Sequence, residues 1–159
     1  MGARSLMTQR ILLLDDELMN TFLHLGNSAQ EENRLTMRTR ILVVDDEPAI
    51  VQTVCIVLGS SGFDALGVNS GDEAIAKAAT FCPDVLLSDV MMPGMSGFET
   101  ALEVKKLCPG CRLLFFSGRT DVAVLGEGLK TLGHRFELLP KPVDPAVLVE
   151  KIKTALSGN

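Results

Sequence analysis

From Arg40 to Leu156, short apolar runs alternate with stretches of helical period five times over, and nothing else in the chain limits its fold so strongly. Ile41-Leu42-Val43-Val44 is apolar throughout and stops at Asp45-Asp46-Glu47, the pattern of a strand buried on both faces. Pro48 to Leu58 follows at helical spacing, with Pro in its first turn and Gly59 to Gly62 at its stop. Phe63 to Val68 reads as a weaker strand, and Ser70-Gly71-Asp72-Glu73 as a capping box opening a helix through Phe81. Asp84 to Ser88 is a third strand, Phe98 to Leu107 a helix, and Arg112 to Phe116 a fourth strand. Asp121 to Leu132 makes a poorer helix, since Gly126 and Gly128 inside it each cost about 1 kcal/mol against Ala. Phe136 to Leu139 is the fifth strand, and Asp144 caps a last helix over Pro145 to Leu156. Such alternation implies an α/β fold, one parallel sheet with helices on both faces and right-handed crossovers. Sites in these sheets form beyond the carboxyl ends of the strands.

The residues at those ends are Asp45, Asp46 and Glu47 after the first strand, Asp89 after the third, Ser117 after the fourth and Lys141 after the fifth. Any one of them alone reads as a cap or a solvated loop charge. Their convergence on one sheet edge does not. Two carboxylates about 5 Å apart repel by about 3 kcal/mol at an effective dielectric of about 20, so the cluster implies a cation. Magnesium suits it, because it takes hard oxygen ligands and keeps several waters, leaving a few carboxylates and a phosphoryl oxygen to complete the set. Where a phosphoryl group is transferred, the protein mainly positions it and neutralises its charge. Lys141 supplies a point charge, Ser117 a hydroxyl donor, and Asp89 the nucleophile for an aspartyl phosphate.

Four segments carry a family resemblance: Ile41 to Glu47 (ILVVDDE), Leu86 to Gly97 (LLSDVMMPGMSG), Phe115 to Gly118 (FFSG) and Leu138 to Pro142 (LLPKP). Asp46 and Asp89 lie 43 positions apart, and Asp89 and Lys141 lie 52 apart. In this order and spacing, residues 38–156 resemble a single-domain, CheY-like response-regulator receiver domain. The resemblance implies the flavodoxin-like doubly wound (βα)5 fold, a five-stranded parallel sheet in the order 2-1-3-4-5. It implies that Asp89 accepts the phosphoryl group, that Asp46 binds Mg2+ directly and Asp45 through water, and that the Met91 carbonyl completes the protein ligands. Ser117 is expected to swing toward the phosphoryl group and Lys141 to pair with it, and the Lys141-Pro142 bond is expected to be cis. Many members carry an aromatic residue where this chain has Leu138. That leaves phosphorylation in place and puts the ring-flip readout in doubt, and Phe136 reads as core.

The implied function is phosphorelay signal transduction. A sensor histidine kinase or phosphotransfer protein donates, and the face of the fourth helix, fifth strand and fifth helix signals to a downstream protein target. The chain is expected to be a switch, not an enzyme, with self-catalysed phosphotransfer and autodephosphorylation as its only chemistry. The alternative is a receiver-like scaffold that binds partners without phosphorylation; the intact Asp45, Asp46, Asp89, Ser117 and Lys141 set counts against it. A phosphatase with an aspartyl nucleophile would want a second acid two positions on, where Met91 stands. A formal net charge of −5 and the absence of a basic stripe count against a nucleic-acid footprint, and no direct DNA binding is expected. No apolar run is long enough to cross a membrane, and a cytoplasmic location follows as the expectation.

Cysteines Cys55, Cys82, Cys108 and Cys111 suit a reducing compartment. Cys108-Pro-Gly-Cys111 falls between a helix end and a strand start, the wrong polarity for a redox pair, and a zinc site would have only His24 and His134 as obvious additions. A plain turn is the favoured reading. Residues 1–36 read as an N-terminal extension, poorly ordered, ahead of a receiver over 37–159. Gln9 to Glu17 echoes Thr39 to Glu47 with six of nine residues identical, yet this copy has no counterpart of Asp89 or Lys141.

Overall fold

A computed structural model describes residues 37–119, 122–133 and 135–158. They form five strands and five helices in strict alternation. These are β1 (Arg40–Val44), α1 (Pro48–Ser60), β2 (Asp64–Val68), α2 (Gly71–Phe81), β3 (Val85–Asp89), α3 (Gly97–Leu107), β4 (Arg112–Ser117), α4 (Val122–Leu132), β5 (Glu137–Pro140) and α5 (Pro145–Ser157). The strands are parallel and lie in the order β2-β1-β3-β4-β5. The expected order is therefore present, with strand and helix ends within a residue or two of the sequence reading, as fraying ends usually are. The echo at Gln9 to Glu17, the extension itself, His24 and His134 lie outside the described residues.

Strand alternation divides the core between the two faces of the sheet. Leu42, Val44, Leu86 and Phe115 point to the side covered by Ala74 and Ala78 of α2, Phe98 and Val104 of α3, and Val124 of α4. Ile41, Val43, Leu87 and Leu114 point to the other side, where Leu58 of α1 and Leu148 and Ile152 of α5 cover them. Each such side chain taken fully from water contributes about 1.5–3 kcal/mol. Phe136 belongs with the first face: its ring centroid lies 5.6 Å from those of both Phe98 and Phe115. Leu138 pairs with Phe115 across the sheet and packs on the same face.

Local chemistry differs from expectation at one cap. Ser70 Oγ accepts from Glu73 N at 3.2 Å, but the Glu73 carboxylate reaches one residue further back and accepts from Asn69 N at 3.0 Å. The reciprocal box forms instead at α3, where Ser96 Oγ accepts from Glu99 N and Glu99 Oε2 from Ser96 N. Cys108-Pro-Gly-Cys111 is the turn it was read as, Cys111 N donating to Cys108 O at 3.0 Å. Among the described residues no helix is long and apolar enough to cross a membrane.

Candidate functional site

β1 and β3 are neighbours at the sheet centre, so the acids that end them meet. Ligand oxygens of Asp45, Asp46 and Asp89 all lie within 4.8 Å of one another. Asp45 is fully buried and Asp89 is 6% exposed, whereas Asp46 is exposed. Asp45 has both oxygens engaged: Oδ1 accepts from Glu47 N at 2.9 Å and Oδ2 from Lys141 Nζ at 3.1 Å. Lys141 also stands 3.3 Å from Asp89 Oδ2, and so bridges two of the three carboxylates. Its backbone N donates to Ser117 O at 2.9 Å, which ties the end of β5 to the end of β4, and its peptide bond to Pro142 is cis.

Electrostatics follow from this crowding. Burial raises the pKa of Asp89; the charge of Lys141 opposes the rise, Asp45 and Asp46 reinforce it, and the balance lies above the ordinary carboxylate value. Burial pulls Lys141 down, but its hydrogen bond to Asp45 and the charges of Asp89 and Asp45 outweigh that, and its pKa stands above the ordinary lysine value. Concentrated negative charge and hard oxygen donors, two buried and one exposed, fit a small divalent cation.

Every side chain read as part of the site is at this edge. Ser117 is buried at the end of β4, its Oγ accepting from Arg119 N at 3.0 Å, and the exposed Met91 lies two residues past Asp89. Two contributors escaped the sequence reading. Asn69, directly after β2, donates from Nδ2 to Asp45 O at 3.0 Å and so holds the main chain that carries the two acids. Its one signal in the sequence is position, directly after a strand as the acids are. Gly97 is the other: a β-carbon there would overlap the Asp89 carbonyl oxygen, so only glycine lets α3 begin against the end of β3.

Residues 41–153 match the family model described as response regulator receiver domain. The DNA-binding response regulator MtrA of Mycolicibacterium smegmatis is 33% identical over 124 residues, which are 78% of this chain and 53% of that protein. Transcriptional activator protein ExaE of Pseudomonas putida is 32% identical over 121 residues, 75% of this chain and 56% of that protein. This chain thus spans about half the length of the curated relatives it matches. Among solved structures, a CheY-like receiver domain protein from Methanospirillum hungatei superposes with a TM-score of 0.69 at 29% identity, over 76% of this chain and 94% of its own. Chemotaxis protein CheY4 of Vibrio cholerae gives 0.70 at 30% identity, over 76% of this chain and all of its own.

The relatives correct one expectation. Direct DNA binding was excluded on charge and on the lack of a basic stripe, yet the matching proteins are named as DNA-binding regulators and a transcriptional activator. The net charge of −5 describes this chain, which spans about half of those relatives, and says nothing of what such a chain regulates. The exclusion does not stand.

Proposed function

This chain belongs to the response regulator receiver domain family, and from that premise we propose that Asp89 accepts a phosphoryl group from the phosphohistidine of a sensor histidine kinase or phosphotransfer protein. Members of this family are phosphoacceptor switches in two-component signalling, not enzymes that turn over a substrate. The observation that carries the reading is the placement of the Asp89 carboxylate, buried, within 4.8 Å of two further acids and 3.3 Å from Lys141.

In the proposed transfer an Asp89 Oδ attacks phosphorus as the bond from phosphorus to the histidine nitrogen breaks, and that nitrogen keeps the electron pair. Lys141 exchanges part of its pairing with Asp89 for a phosphoryl oxygen, and Ser117 Oγ donates to another. We assign Asp45, Asp46, Asp89 and the Met91 carbonyl to Mg2+, which when bound would offset the clustered negative charge of carboxylates and phosphoryl oxygens. Water attack on the acyl phosphate resets the switch. Residues 37–159 form the receiver in this reading, residues 1–36 an extension with no part in the chemistry, and the location is cytoplasmic. The output served is control of DNA binding, the activity that MtrA's name gives for that relative.

The test is intact mass after incubation with acetyl phosphate and magnesium. Wild type should gain one phosphoryl group and Asp89→Asn none. Equal labelling of the two proteins overturns the assignment.

A further inference from the structure

Three of the four cysteines lie at the end of the sheet opposite the acidic site. Cys82 caps the C-terminus of α2 in the left-handed region, with φ of 46°, and Cys108 caps the C-terminus of α3. Both converge on one oxygen: Cys82 N donates to Ala78 O at 3.0 Å, and Cys108 Sγ lies 3.5 Å from that same atom. Cys108 Sγ therefore reaches across the helix pair to the carbonyl that the backbone of Cys82 caps. Cys111 Sγ faces the backbone instead, 3.5 Å from Arg112 O. Among the four free thiols, Cys82 is exposed, Cys108 and Cys111 are buried and Cys55 is half-buried on α1.

We propose that Cys82 and Cys108 form a reversible disulfide when the protein meets a peroxide, joining the C-terminal ends of α2 and α3. Cys82 is the solvent-facing member and reacts first. Its sulfur attacks the O–O bond, giving Cys82 sulfenic acid and, after proton transfer, the alcohol or water. Cys108 then attacks the sulfenyl sulfur, gives up its proton to the departing hydroxide and closes the S–S bond. Two thiols are oxidised, one peroxide is reduced, and a dithiol reverses the change.

Burial pushes the Cys108 thiol up to about 11, with the neighbouring Cys82 thiol adding to the rise, so Cys108 is a poor target for peroxide from solution. Its role as the second thiol does not need a free thiolate pool, because a contact pair reacts as one unit and proximity compensates for low thiolate content. Burial pushes Cys111 up to about 12, so it too is a poor target for peroxide from solution. The loop closed by the bond contains Asp89 and the start of α3 at Gly97, so the bond would clamp the helix that begins against the acidic site.

The experiment treats the full chain with hydrogen peroxide under native conditions, alkylates the remaining thiols after denaturation and maps the peptides by mass. The expected result is a Cys82–Cys108 peptide, two hydrogens lighter, restored by dithiothreitol, with Cys55 and Cys111 alkylated. Cys82→Ser and Cys108→Ser should each abolish it, and Cys111→Ser should leave it. Cys82→Ser decides if the buried Cys108→Ser fails to fold, with far-UV circular dichroism as the check. A Cys108–Cys111 link overturns the proposal, and so does Cys82 ending as sulfinic acid beside an alkylated Cys108.

Discussion

The raised pKa of Asp89 means that the folded chain holds a proton there more readily than the unfolded chain. An acid raised in this way lowers stability once ionised: the penalty is complete above its folded pKa and disappears as pH falls below the unfolded value of about 3.9. Asp89→Asn keeps the shape and removes the charge. We expect it to abolish phosphoryl uptake and yet raise the unfolding free energy by about 1 kcal/mol at neutral pH, a trade common at functional sites. Urea titrations in chelator should show that gain, and should show it vanish below about pH 3.9. Lys141 works the other way. Its raised pKa contributes stability in full below the unfolded value of about 10.4, and that contribution is lost as pH rises through the folded value. Lys141→Met leaves Asp45 buried without its cation, at a cost of about 3 kcal/mol near neutrality; the deficit should narrow in titrations taken above about pH 10.4. Asp45, Asp46, Asp89, Ser117 and Lys141 were legible in the sequence because each is a chemical group at a strand end. Asn69 carried only its place after β2, since it serves a backbone carbonyl, and Gly97 serves by what it lacks and carried no chemical signature to read.

Elements were legible through period, but period does not report what lies opposite a residue. Gly126 and Gly128 looked alike, as two weak points in one helix. In the fold they are opposites. A β-carbon on Gly126 meets nothing within 4 Å, whereas one on Gly128 would sit 2.5 Å from the Phe136 ring and 2.8 Å from that of Phe98. Gly126→Ala should therefore stabilise by about 0.5–1 kcal/mol, the ordinary helix-propensity gain. Gly128→Ala should destabilise by about 1–3 kcal/mol through overpacking of the aromatic trio. Thermal unfolding of the two variants checks both signs; a gain at Gly128 would show that the rings yield. The same blindness explains the caps. Ser70 and Ser96 each precede a glutamate by three residues, and only the geometry decides that the reciprocal pair closes at Ser96 while Glu73 turns to Asn69.

At the scale of the molecule, the five strands, both faces of the core and the acidic site that the described residues form lie within residues 38–158. β1 is an interior strand of that arrangement. It is paired on both sides, by β2 and by β3, and Ile41 to Val44 are fully buried. An echo of this strand and its acids occurs at Gln9 to Glu17, with Ile11-Leu12-Leu13-Leu14 as apolar as the original. The two segments share an apolar run and the same Asp-Asp-Glu ending in sequence, and Asp45 has Lys141 beside it, which also pairs with Asp89. Every site group named above lies at or beyond Met37, so a chain starting at Met37 should unfold cooperatively and take up a phosphoryl group within about twofold of the full-chain rate. A spare apolar strand is also a pairing hazard wherever a sheet edge is open. The edges here are β2 and β5. If the echo pairs with one of them, light scattering should find the full chain associating with rising concentration while the shorter one stays monomeric. Loss of phosphoryl uptake on removing residues 1–36, with the fold intact by circular dichroism, would make the echo a working part of the switch and refute the division of the chain at Met37.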